Sequence, residues 1–332
     1  MKLLVTGGAG FMGSNYIHYV LREHEDYEVI NLDKLTYAGN LDNLRDIEDD
    51  PRYTFVKGDI ADTKIVSEVA KGVDAIVNYA AETHVDRSIL WARDFAMTDV
   101  IGTLTLLEAT KNFNIPRMVQ ISTDEVFGSI EKGFFTEESP FLPNSPYSAS
   151  KAGGDLMCRA FIKTHSTPVI VTHSVNFFGP YQYPEKVIPL FVTNLMEGKK
   201  VPLYGKGANR RQWIYTEDHC AAVDRVLHKG VEGETYNITT GDEISNIELT
   251  KIILRELGKG EESIEYVKDR LGHDFRYALN DDRIRDLGWK PKVGFEKGIQ
   301  KTIDWYKENT WWWEKLKGEE YQDYYKKQYT ER

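Results

Sequence analysis

Two groups of residues carry chemistry by their type and spacing. Tyr147-Ser148-Ala149-Ser150-Lys151 follows Asn144-Ser145-Pro146, a helix start, and a helical spacing of four sets the phenol and the ammonium on one face within about 6 Å. A cation held there is expected to lower the tyrosine pKa toward the operating pH, making it usable as an acid or base. Tyr53 and Lys57 share the spacing but fall on a predicted strand, where four residues span roughly 13 Å. The second group is Thr123-Asp124-Glu125, which follows the run Met118 to Ser122. Neighbouring carboxylates repel, so their pKa values are expected to part into one proton donor and one acceptor, a pairing suited to elimination. The Thr123 hydroxyl is a candidate to bond the same substrate oxygen as Tyr147.

These side chains need a scaffold, and the sequence supplies a recognisable one. Thr6-Gly7-Gly8-Ala9-Gly10-Phe11-Met12-Gly13 directly follows the apolar run Lys2 to Thr6 and leads into the helical run Ser14 to Arg22. In that setting Gly7 permits a tight turn, Gly10 lets the backbone approach a pyrophosphate, and Gly13 brings the helix close to the sheet. The helix N-terminus then holds the anion. Asp33 ends the second predicted strand at the place where a carboxylate accepts hydrogen bonds from adenosine ribose hydroxyls and repels a 2′-phosphate. NAD is therefore favoured over NADP, although Lys34 beside it offsets some of that repulsion. Asp59-Ile60, after the third strand, is placed either to face an adenine or to form a solvated turn.

Short β-branched runs alternate with longer amphipathic ones: Lys2 to Thr6, Tyr27 to Leu32, Tyr53 to Val56, Ala75 to Asn78, Met118 to Ser122 and Val169 to Thr172. This rhythm predicts an α/β fold with a Rossmann-like, doubly wound parallel sheet covered by helices on both faces. Beyond Asn176 it gives way to Gly/Pro-rich connections, expected to form a smaller mixed α/β substrate domain. The expected division is 1–176 for the NAD-binding domain and 177–332 for the second, with 213–230, a strand then a helix, returning to the first. Trp311, Trp312 and Trp313 are expected to pack a terminal helix rather than hold a ligand.

Bulk properties narrow the partners. The 332 residues carry a formal net charge of -10, which repels a phosphate backbone, so nucleic acid is not an expected partner. Two cysteines form no disulfide framework, and the first apolar stretch is too short for a signal or a membrane span, so a cytoplasmic protein with no membrane partner is expected. Eight scattered histidines include no ligand-spaced pair, so no metal is expected. The segments Phe95 to Asn112 and Tyr147 to Phe161 carry apolar residues beyond one face, as helices packing a partner would.

Taken together, Ile121-Ser122-Thr123-Asp124-Glu125-Val126, Ala80-Ala81-Glu82-Thr83-His84-Val85-Asp86-Arg87-Ser88, Gly179-Pro180-Tyr181-Gln182 with Pro184-Glu185-Lys186, and Gly272-His273-Asp274 resemble the nucleotide-sugar dehydratases of the extended short-chain dehydrogenase/reductase family. The resemblance runs from Lys2 to about Trp313. It implies a homodimer through the two helical segments, a tightly bound NAD, and a nucleotide-sugar substrate, dTDP-glucose. Tyr147, aided by Lys151 and Thr123, would remove the 4-hydroxyl proton as C4 loses hydride; Glu125 would take the C5 proton and Asp124 would protonate the departing C6 hydroxyl. Around the cofactor it implies Gly7, Gly10, Phe11, Met12, Gly13, Asp33, Lys34, Leu35, Thr36, Asp59, Ile60, Ala80, Ala81, Glu82, Thr98, Tyr147, Lys151 and Phe177. Around the substrate it implies Thr83, Thr123, Asn176, Lys186, Val187, Pro202, Leu203, Tyr204, Arg211, Asn246 and His273, with Arg210 as a substitute for Arg211. The chain departs from the family pattern at Asp99, Phe127, Phe177, Phe178, Gln212 and Leu271. The competing readings are a UDP-glucose dehydratase, a nucleotide-sugar 4-epimerase and a non-catalytic NAD sensor; an epimerase has little use for Asp124 and Glu125 together.

Overall fold

The structure is a computed structural model that describes residues 1–269 and 274–329. Its strands, in chain order, are β1 (Lys2–Thr6), β2 (Glu28–Asp33), β3 (Tyr53–Lys57), β4 (Ala75–Asn78), β5 (Met118–Thr123), β6 (Val169–Ser174), β7 (Asn176–Phe178), β8 (Val201–Tyr204), β9 (Arg210–Tyr215), β10 (Thr235–Ile238), β11 (Glu243–Ser245) and β12 (Ile264–Val267). Seven of them form one parallel sheet in the order β10-β6-β5-β4-β1-β2-β3. The alternating side-chain directions of its strands feed two separate cores. Leu3, Val5, Val77, Val119 and Ile121 pack on one face, whereas Leu4, Ile76 and Met118 pack on the other. Helices cover both faces, as the continuous apolar strands require.

The six strands expected from the sequence are all present, and β10 adds a seventh. The segment 213–230 divides. Its helix, Thr216–Lys229, packs against the helix Phe11–Glu23, but Trp213, Ile214 and Tyr215 belong to β9 in a separate three-stranded sheet, β11-β9-β7. The strand that returns to the large sheet is Thr235–Ile238, which pairs with β6. Its short TYNI run lacked a longer apolar context to mark it. A two-stranded sheet, β12-β8, and the helices Val187–Met196, Asn246–Glu256 and Phe295–Glu308 enclose a further core of Ile188, Phe191, Trp213, Ile253 and Ile299. Trp312 and Trp313 are buried in that core, while Trp311 is exposed. Among the described residues, no helix is long and apolar enough to cross a membrane.

Candidate active site

The cradle forms as the backbone dictates. Gly7 has φ +68°, and a Cβ there would lie 2.6 Å from Ala80 Cα; a Cβ at Gly13 would lie 2.2 Å from Gly7 O. Both positions therefore require glycine. At Gly10 a Cβ would meet only Gly7 O, at 3.2 Å, so a side chain there would project into the space a pyrophosphate needs. The helix Phe11–Glu23 begins at this point, and a cavity of about 300 Å³ opens above it. These residues fit a dinucleotide.

Of the residues assigned to the cofactor from the sequence, Gly7, Gly10, Phe11, Met12, Gly13, Asp33, Lys34, Thr36, Asp59, Ile60, Ala80, Ala81, Glu82, Thr98, Tyr147, Lys151 and Phe177 line this cavity. Leu35 does not: it has φ 57° and donates its N–H to Asp33 Oδ1 at 2.8 Å, so it braces the turn through its backbone. Asp33 Oδ2 accepts from Ala9 N at 2.9 Å, which ties the carboxylate to the cradle itself. Burial raises its pKa against the pull of these backbone bonds. Lys34 Nζ lies 2.7 Å from Asp59 Oδ2, so its charge is directed to Asp59 and away from Asp33. Asp59 is thus an ion-pair partner that also caps a turn, accepting from Ala61 N at 2.9 Å.

Thr83, Asn176, Lys186 and Val187 line both this cavity and a second of about 190 Å³. Pro202, Leu203, Tyr204, Arg211 and Asn246 line the second alone, and Thr123 the first alone. His273 and Leu271 lie outside the described residues. Neighbouring arginines on β9 point to opposite sides. Arg210 pairs with Glu243 at 2.6 Å, while Arg211 faces the second cavity with its guanidinium over the Tyr277 ring at 4.3 Å. Arg210 therefore cannot replace Arg211. Sequence reasoning missed Tyr37, Tyr183, Tyr277 and Tyr329 as lining residues; isolated tyrosines carry no spacing signal. It also missed the wall between the cavities, where Tyr37 Oη donates to Glu185 Oε1 at 2.9 Å and Arg87 Nε donates to Glu185 Oε2 at 3.2 Å.

At the centre, the helix Pro146–His165 starts at a Ser145 capping box with proline in its first turn, which fixes where Tyr147 and Lys151 stand. Lys151 Nζ donates to Ile121 O at 2.7 Å. The expected lowering of the Tyr147 pKa is not observed. Burial first, then Glu125 and Asp99, hold the phenol well above its ordinary value, with only Thr123 pulling the other way. Desolvation of the phenol thus outweighs the one hydrogen bond that favours its charged form.

The acid pair separates more fully. Asp124 is buried, and burial with the adjacent Glu125 pushes its carboxyl up to about 8. Thr123 Oγ1 donates to Asp124 Oδ1 at 3.2 Å, whereas Oδ2 is buried without a protein partner. Asp124 is therefore a neutral acid at pH 7 with one oxygen uncommitted. Glu125 lines both cavities and stands at their junction. Behind the strand, Ser122 Oγ donates to Asp155 Oδ2 at 2.6 Å, and His173 Nε2 lies 3.1 Å from the same oxygen. This buried link ties β5 and β6 to the helix that carries Lys151.

Comparisons with known proteins agree with this geometry. The family model for GDP-mannose 4,6 dehydratase matches residues 4–302. A dTDP-glucose 4,6-dehydratase from Streptomyces niveus is 51% identical over 322 residues, covering 96% of each chain. The low-salt glycan biosynthesis protein Agl12 of Haloferax volcanii is 50% identical, covering 92% of this chain and 98% of its own. Among solved structures, DesIV, the dTDP-glucose 4,6-dehydratase of Streptomyces venezuelae determined with NAD bound, superposes with a TM-score of 0.93 at 51% identity, covering 95% of this chain and 100% of its own. On a family model that spans most of its length and relatives identical at half of their positions, the chain belongs to the GDP-mannose 4,6 dehydratase family of NAD-dependent nucleotide-sugar dehydratases.

Proposed function

We propose that this chain converts dTDP-glucose to dTDP-4-keto-6-deoxyglucose. The observation that carries the reading is the acid pair: a neutral Asp124 with an uncommitted oxygen stands beside Glu125 and in the same cavity as Tyr147. NAD, when bound, supplies the hydride acceptor for C4 and the donor for C6. The cofactor-lining residues named above hold it, with Gly10 and the helix start at the pyrophosphate and Asp33 at the ribose. Tyr147 takes the 4-hydroxyl proton as its phenolate, the form that the positive charges of Lys151 and of oxidised nicotinamide would favour once NAD is bound, with Thr123 bonding the same oxygen. The C4 ketone acidifies C5–H, which Glu125 removes. Asp124 protonates the C6 hydroxyl, water leaves, and a 4-keto-5,6-ene remains. After hydride returns to C6, a proton returns to C5.

The nucleotide occupies the second cavity. Asn176, Lys186, Arg211 and Asn246 serve the phosphates and ribose, while Pro202, Leu203 and Tyr204 line the base. His273 belongs to the same set by resemblance. We further infer the division 1–176 and 177–332, with the helix of 213–230 and the strand Thr235–Ile238 returning to the first part. A homodimer in the cytoplasm also fits: Leu90, Trp91, Met97, Ile101 and Leu156 are exposed on the helices around Pro146–His165. Running the reaction in heavy water tests the central claim. Deuterium is expected at C5 of a 6-deoxy product; a C4-epimerised hexose with intact C6 would overturn it.

A further inference from the structure

At the end of the helix Phe11–Glu23 away from the cradle, three side chains meet that the reaction does not use. His24 ends that helix, and Asp224 and His228 lie one turn apart on Thr216–Lys229, which packs beside it. Their separation in sequence hides the grouping from any reading of spacing. One ligand atom from each lies within 4.8 Å of the others. His24 Nε2 is 2.9 Å and His228 Nδ1 is 3.5 Å from Asp224 Oδ1. The two imidazole centroids are 5.3 Å apart. A tetrahedral ion about 2.0–2.1 Å from one nitrogen of each ring sets the centroids roughly 5 Å apart.

We propose that His24, Asp224 and His228 form a binding site for a divalent cation of the zinc class, with water completing the shell. Two imidazoles and one carboxylate suit zinc, whereas magnesium and calcium favour an all-oxygen set. The side chains are 24%, 16% and 30% exposed, so an ion reaches them from solvent. The thirteen-residue helix separates them from the cradle by about 20 Å, which keeps the site clear of catalysis.

Hydrogen bonds satisfy these groups without a metal. His228 Nδ1 meets the Asp224 carbonyl at 2.7 Å, and its Nε2 meets the Tyr27 hydroxyl. A cation must displace one of these bonds, which makes the site reversible and dispensable for folding. Its expected effect is to clamp two helices whose sequence positions are far apart.

The test uses untagged, EDTA-treated holoenzyme titrated with ZnCl2, with MgCl2 and CoCl2 in parallel. Saturating zinc is expected to raise the thermal midpoint by about 2–4 °C, cobalt to give a visible ligand-field band, and magnesium to do neither. Both signals should vanish in His24→Ala, His228→Ala and the shape-conserving Asp224→Asn, with turnover and bound NAD unchanged. No shift in the parent protein, or a shift that survives in all three variants, overturns the site.

Discussion

The two pairs of titratable groups at the centre are positioned by different means. Tyr147 and Lys151 stand one turn apart on a single capped helix, so their spacing follows from helix geometry alone. Asp124 and Glu125 lie just beyond a strand, and adjacent residues there share neither a face nor an environment. One is buried and neutral; the other stands at the junction of two cavities. Periodicity therefore fixes where the first pair is, whereas burial fixes what the second pair does. The shared hydride chemistry rests on the rigid pair and the dehydration on the environmentally tuned one.

Breaking each half separately tests that contrast. Tyr147→Phe should have the largest effect, lowering turnover by about 10³-fold or more with NAD still bound, measured by product formation and cofactor content. Asp124→Asn should cost about 10²-fold and act on the other half. In the parent enzyme the acid must be protonated, so kcat/KM should fall as pH rises through about 8, and the variant should lose that alkaline limb. Full activity in either variant would remove the role assigned to it.

Two smaller changes probe the joint between the halves. Ser122→Ala removes the donor to the buried Asp155 and should lower stability by roughly 1–3 kcal/mol in denaturant titration, with a several-fold loss of kcat and little change in KM. Asp99 is buried on the short π-helical turn beside the catalytic helix and accepts from Ser150 Oγ at 2.6 Å, while burial raises its carboxyl to about 7. Its folded pKa lies above the ordinary 3.8, so the folded state keeps a proton that the unfolded chain releases. Stability from this group is full below about pH 4 and is lost as pH rises through about 7. Asp99→Asn should flatten that slope, visible as thermal midpoints that vary less between pH 4 and 8.

How much was legible in the sequence follows the same division. Strands β1 to β6, the glycine cradle and the Tyr-Lys pair announce themselves because each has a period or a required spacing. The return of β10 does not, because four residues show no periodicity, and the chain reaches it only after a detour through the smaller sheets. The direction of the Tyr147 shift is not legible either, because spacing locates Lys151 but reveals neither the burial of the phenol nor the nearness of Glu125 and Asp99. Likewise, adjacent arginines look interchangeable until β9 turns Arg210 to Glu243 and Arg211 to the cavity.

One distant contact joins the cradle to a helix far along the chain. Trp312 Nε1 donates to Asn43 Oδ1 at 2.8 Å, and Asn43 Nδ2 donates to Ala9 O at 2.9 Å within the cradle. The helix Thr310–Leu316 thus holds, from 269 residues away in sequence, the residue that braces the cradle loop. A change confined to Thr310–Leu316 can therefore loosen the dinucleotide cradle without touching a cradle residue.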